Sequence, residues 1–132
     1  MATTLNVDTI ATDADLIAEV ASQARLDRAM KDVIQRDKVR KAALQDVVDA
    51  LMTRSPPLRE AELSDATELK RAVVYRSLSK IFLSAIAVEN DVHATLQRNY
   101  EREYQAAVRA RFSVTPTQAD SGSGYSFRME RR

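Results

Sequence analysis

The residue types that do chemistry are few in this chain, and they are widely spaced. His93 is the only histidine and there is no cysteine. A zinc site of the His/Cys kind therefore has no second ligand, and a Cys–His nucleophile has no thiol. The carboxylate pairs that acid–base work would need are Asp46 with Asp49 and Glu101 with Glu103. Both fall on charged helix faces with Arg or Lys close by, and read as surface ion pairs, which stabilise little. No GxGxxG, Walker, GxSxG or HExxH spacing occurs. His93, one residue from Val92, reads as structural. Tyr100 and Tyr104 share one helical stripe. Aromatics at that spacing are most often packing residues, and a nucleotide-stacking platform is the weaker alternative. Nucleophile, base and orienting group never come together. The expectation is a protein that binds and is not an enzyme, with no catalytic, cofactor or metal site.

Binding chemistry is better represented. Arg25, Arg28, Lys31, Arg36, Lys38, Arg40 and Lys41 crowd one stretch, against Asp27, Asp32 and Asp37. Positions 1–20 carry Asp8, Asp13, Asp15 and Glu19 with no base. The favoured reading of the basic stretch is a solvated helix face with interleaved acids. In a chain that lines a ring, the same face would meet DNA non-specifically or pair with an acidic neighbour. The formal net charge is only +1, far from the strong basicity of most bulk-electrostatic nucleic-acid binders.

The C-terminus offers a second candidate. Tyr125, Phe127 and Met129 alternate with Ser126, Arg128 and Glu130 ahead of Arg131 and Arg132. That is the period of a strand with one apolar side. A strand with no local sheet to join leaves backbone groups unpaired. Addition to a sheet edge or groove on another chain would satisfy them, with Tyr125, Phe127, Arg128, Met129, Arg131 and Arg132 as the partner-binding residues. The alternative is a frayed terminus.

The elements that position these residues are helices. The chain has 132 residues, enough for one domain with one core. Its only two glycines, Gly122 and Gly124, lie in the tail. Residues 1–11 read as an irregular or extended lead-in, and Thr12 caps a short helix over about 13–21. Residues 24–30 are ambiguous between helix and loop. A longer amphipathic helix over 33–53 presents Val39, Ala43, Leu44, Val47, Val48 and Leu51. Ser55-Pro56-Pro57 ends it. Helices over about 64–87 and 91–112 follow, the first opened by Ser64 and acids in the first turn. A short break near Glu89-Asn90-Asp91 makes them an antiparallel hairpin. The expected fold is an all-α small helical bundle built on that hairpin over residues 1–112. Residues 113–132 form a flexible linker and an extended C-terminal arm. The apolar arc formed by Val73, Val74, Leu78, Ile81, Phe82, Ile86 and Val88 is wide for a small domain to cover, which suggests burial against a neighbouring subunit. No apolar run reaches the ~20 residues of a membrane span. The residues after Met1 lack the basic and apolar regions of a secretory signal.

Three runs carry a resemblance. Ala72-Val73-Val74-Tyr75-Arg76-Ser77-Leu78-Ser79-Lys80-Ile81-Phe82, then Asp91-Val92-His93-Ala94, then Tyr100-Glu101-Arg102-Glu103-Tyr104 together resemble the helical hairpin of head–tail connector proteins of tailed double-stranded DNA phages. These proteins are also called adaptors or head-completion proteins. The likeness covers 12–112 loosely and the hairpin best. It implies an α-helical virion protein of the neck, assembled in the host cytoplasm into a ring, usually dodecameric, beneath the portal. Such a ring extends the channel for DNA ejection and gives the tail or a stopper or terminator protein its docking surface. It also implies that residues 125–132 dock on the portal. The partners would then be the portal protein, tail components, other copies of the chain and non-specific double-stranded DNA, with no membrane.

Two rival readings stand beside this one. The first is a small helical nucleic-acid-binding or regulatory protein using residues 25–41 and the terminal Arg131-Arg132. The second is a small enzyme or enzyme subunit, against which the scattered polar residues count.

Overall fold

A computed structural model describes residues 5–86 and 90–114, with the side chains of Asn90 and Asp91 excepted. The fold is all-α. The helices are α1 (Val7–Ile10), α2 (Asp13–Val20), α3 (Gln23–Ala29), α4 (Val33–Thr53), α5 (Lys70–Ala85) and α6 (Asn90–Val108). Short 3-10 turns span Glu60–Glu62 and Ala66–Leu69. Among the described residues no strand forms, and Leu63 and Val114 make one isolated antiparallel bridge.

The axis of the bundle is α5. Ala72, Val73, Val74, Leu78, Ile81, Phe82 and Ala85 are all buried along it, together with Ser77 and Ser79. A helix apolar around most of its girth must be enclosed. It is enclosed by α6 and α4 along its length and by α2 and α3 as well. The wide arc that suggested a neighbouring subunit is therefore covered largely by the chain's own helices. Val73, Leu78, Ile81 and Phe82 are each 0% exposed. Each such side chain contributes about 1.5–3 kcal/mol on leaving water.

Antiparallel packing of α5 and α6 follows from the pairs they make. Arg76 meets Glu101, Ser79 meets Gln97, and Phe82 meets His93. At the near end, Arg54 fastens α4 to α6. Its Nη1 donates to the carbonyls of Val108 at 3.0 Å and Ala110 at 2.7 Å, and its guanidinium lies over the Phe112 ring. These carbonyls belong to the last turn of α6 and the residues beyond it, where a helix lacks internal donors and favours a cation.

Several boundaries differ from the sequence expectation. The lead-in contains α1, capped by the Asn6 side chain, which accepts from the Asp8 amide. Val7, Ile10 and Ala11 enter the core. The ambiguous 24–30 segment is the helix α3, capped by Ser22. The hairpin's first helix opens later than Ser64: Asp65 caps a 3-10 turn, and α5 begins at Lys70. The second ends at Val108, not 112, because Arg109 and Ala110 donate back to Ala106 and Ala107 in a tightened last turn. Ser113 and Val114 are not free linker. Ser113 donates its amide and hydroxyl to Glu68, and its carbonyl accepts from the Ser64 amide. The arm residues Tyr125, Phe127, Arg128, Met129, Arg131 and Arg132 lie outside the described residues, as does Glu89 of the expected break, while Asn90 and Asp91 belong to α6.

Candidate functional site

The acidic start and the basic stretch of the chain meet each other. Thr12 and Asp15 form a reciprocal capping box that opens α2 and sets Asp13 in its first turn. From there Asp13 takes two hydrogen bonds from Arg36 of α4, Nε to Oδ1 at 2.7 Å and Nη2 to Oδ2 at 3.0 Å. Arg36 Nη1 also donates to Asp27 of α3 and to the Met30 carbonyl. Hydrogen bonding to Asp13 raises the Arg36 pKa, burial opposes it, and Asp27 adds to the rise. One turn on, Arg40 reaches Asp8, the Ala11 carbonyl and Asp37. Its Nε is buried with no hydrogen-bond partner. These two guanidinium groups hold α1, α2 and α3 onto α4.

This corrects the reading of residues 25–41 as a solvated face. Arg36 is 1% exposed and Arg40 5%, and their charges are spent inside the chain. Arg25 and Arg28 on α3, Lys31 between helices, and Lys38 and Lys41 on α4 stay exposed. Lys41 pairs with Asp37 at 3.5 Å. Two of the seven basic residues are therefore withdrawn from any exposed patch.

A second polar network joins the three long helices. Asp46 of α4 accepts from Arg76 at 2.9 Å and pairs with Lys80 at 3.0 Å. Glu101 of α6 accepts from Arg76, Ser79 and Gln105. Partial burial pushes the Asp46 carboxyl up, but Lys80 and Arg76 outweigh it and hold it below the ordinary value. Glu101 is likewise pushed up by burial and brought below its ordinary value by Gln105, Ser79 and Arg76. The carboxylate pairs of the sequence are therefore split in role. Asp46 and Glu101 tie helices together, while Asp49 and Glu103 are exposed.

The aromatic stripe is packing, as its spacing suggested. Tyr104 is 5% exposed under the Arg76 guanidinium, and Tyr100 stacks on Tyr75 and Phe82. His93 is buried against Phe82, with Nδ1 3.3 Å from the Ala85 carbonyl. Among the described residues no three His, Cys, Asp or Glu side chains gather as metal ligands would, and no helix is long and apolar enough to cross a membrane.

The two ends of the bundle differ in chemistry. At one end lie the start of α4, the end of α5 and the start of α6, where Ile34, Leu83 and Val92 are more than half exposed. A shallow groove there is lined by Gln35, Lys38, Val39, Ala42, Lys80, Leu83 and Ser84. The opposite end exposes Met52 and Val114 and has a groove lined by Arg54, Ser55, Pro56, Arg109, Ala110 and Arg111. Arg98, Arg102, Arg109 and Arg111 are exposed and make no ion pair among the described residues. Composition missed them because acids share the segment. A helical projection of 98–109 would have found Arg98, Arg102 and Arg109 on one side. Comparison with family models, with curated proteins and with solved structures finds no match to this chain.

Proposed function

We propose that this chain is a structural connector of a phage neck, acting by binding and not by catalysis. It assembles as a ring beneath the portal, docks tail or stopper components on its other side, and forms part of the DNA channel. The ring is the dodecamer that the hairpin resemblance implies, and residues 125–132 are the arm that meets the portal. The observation that carries this reading is the chemical difference between the two ends of the bundle. A connector has to present unlike surfaces to unlike partners. One end exposes Ile34, Leu83 and Val92. At the other, Ser113 is anchored by Glu68 and Ser64. The alternative of a nucleic-acid-binding or regulatory protein built on residues 25–41 loses Arg36 and Arg40, whose charges are consumed internally.

The reading is tested by assembly. Analytical ultracentrifugation of the full chain, alone and with portal rings, should show ring-sized species, and Leu83→Asp should return them to monomer. A chain that stays monomeric under every condition, portal included, contradicts the proposal.

A further inference from the structure

The outer face of α6 carries a line of arginines that nothing in the bundle uses. Arg98, Arg102 and Arg109 are exposed and unpaired among the described residues. At about 100° and 1.5 Å per residue, Arg102 lies about 40° around from Arg98, and Arg109 about 20°. The line is therefore nearly straight, with a length of about 16 Å. Arg109 also lines the groove at the end of the bundle with Arg54 and Arg111, and no acid lines that groove. Arg54 is fixed there by the carbonyls of Val108, Ala110 and Pro56, which engage Nη1 and Nε and leave Nη2 without a hydrogen bond among the described residues.

Of the acids of α6, Asp91 falls about 20° from Arg98 on the same projection, and the two whose side chains are described are engaged elsewhere. Glu101 is turned inward to Arg76 and Ser79. Glu103 lies about 140° around the helix from Arg98 and lines a neighbouring groove with Glu68, Arg71 and Arg111. The other residues exposed beside the arginines are Thr95, Asn99, Gln105 and Ala106, with no large apolar side chain among them. The buried centre of a protein interface favours aromatic and apolar side chains over charged ones. A hydrated phosphate backbone does not, since its affinity comes from cations displacing condensed counterions. Duplex DNA carries about one negative charge per 1.7 Å of axis, so a line of this length faces several phosphates.

We infer that the outer face of α6, with Arg98, Arg102 and Arg109 continuing into the Arg54–Arg111 groove, is a sequence-independent binding surface for the phosphate backbone of duplex DNA. This deepens the connector reading by naming the face that meets the duplex, and rests on that reading for the choice of DNA over RNA. Binding itself needs neither ring nor portal, so the two fail separately.

The test is fluorescence anisotropy of the full chain with a short labelled DNA duplex, from about 50 to about 200 mM salt. The wild type should bind at low salt. Arg98→Gln/Arg102→Gln/Arg109→Gln should weaken binding at least about tenfold and lower the salt slope by about 2.7, at about 0.9 per lost phosphate contact. Arg28→Gln/Lys31→Gln/Lys38→Gln should stay within about twofold of wild type, because none of these cations lies on α6 or lines the Arg54–Arg111 groove. Circular dichroism should show both variants folded. No duplex binding at low salt overturns the inference, as does an α6 variant that binds like wild type. Tighter binding to an RNA duplex of the same sequence overturns the assignment to DNA. Displacement by polyglutamate at the same charge concentration overturns it in favour of an acidic protein.

Discussion

Arg36 and Asp13, 23 positions apart in sequence, are joined side-on by two parallel hydrogen bonds in the lining of the core. The guanidinium is 2% exposed, whereas the Asp13 and Asp27 carboxylates keep 22% and 40% of their side-chain surface. The cation is thus buried and its partners are partly wet. Removing Arg36 then strands no fully buried anion. Arg36→Ala should lose about 2–4 kcal/mol, at or below the usual range for a broken buried pair. Arg36→Met, which refills the volume, should lose clearly less. Urea unfolding of both variants measures this, and equal losses would show that packing by the side-chain stem contributes nothing.

Arg40 is satisfied less completely. Its Nη atoms have partners but its Nε is buried without one. An unmet buried donor costs about 1–3 kcal/mol. Arg40→Met removes that cost along with the ion pairs. It should therefore be tolerated better than Arg36→Met in the same titration, and the reverse order would contradict the bonding described.

The Asp46–Arg76–Glu101 network makes stability depend on acid. Both carboxyls are held below their ordinary values of 3.8 and 4.5 in the fold. A carboxyl with a depressed folded pKa stabilises the fold above its unfolded pKa, and that contribution is lost as pH falls through the folded value. Urea midpoints should be level near neutrality and decline below about pH 4.5. Because the two carboxylates are about a third exposed, the decline is modest. Asp46→Asn/Glu101→Gln should be less stable at neutral pH and show a shallower acid limb. An unchanged limb would assign the acid sensitivity elsewhere.

Ala21 closes α2 in the left-handed region, at φ 61° and ψ 23°. A β-carbon there costs roughly 1–2 kcal/mol, which glycine avoids at some cost in unfolded-chain entropy. Ala21→Gly should raise stability by about 0.5–1 kcal/mol. A lower thermal midpoint would show the strain to be absent.

Glu68 anchors Ser113, next to the last described residue. Glu68→Ala removes both bonds to Ser113. It should speed amide exchange at Ser113 and cost about 0.5–1.5 kcal/mol. Exchange at the Val47 and Leu78 amides should stay slow. Unchanged exchange at Ser113 would mean that its bonds to Glu68 do not hold the segment.

What was legible in the sequence follows from length and period. α4 has 21 residues and a proline stop close behind it, so its spacing and its end agree at Val33 and Thr53. α1 and α3 have four and seven residues, too few turns for a face to repeat. The buried arginines were hidden by composition, because a cation count does not tell a packed guanidinium from a solvated one. The register does tell them apart. Arg36 and Arg40 continue the stripe of Ala43, Leu44, Val47 and Leu51 backward along α4, and all of these are buried. The same projection groups Arg98, Arg102 and Arg109 within about 40°, whereas Glu101, about 60° from Arg98, is set apart only by its bonds to Arg76 and Ser79. Part of the wide apolar arc of α5 was expected to bury against another subunit, but α2 and α3 cover α5 along with α4 and α6; Val88 of that arc lies outside the described residues.

The connector reading is tested most directly by negative-stain microscopy of the full chain mixed with portal rings, with and without residues 125–132. The account predicts ring-shaped density below the portal that disappears with the truncation, while helix content is retained. Portals left bare by the full-length chain would contradict it.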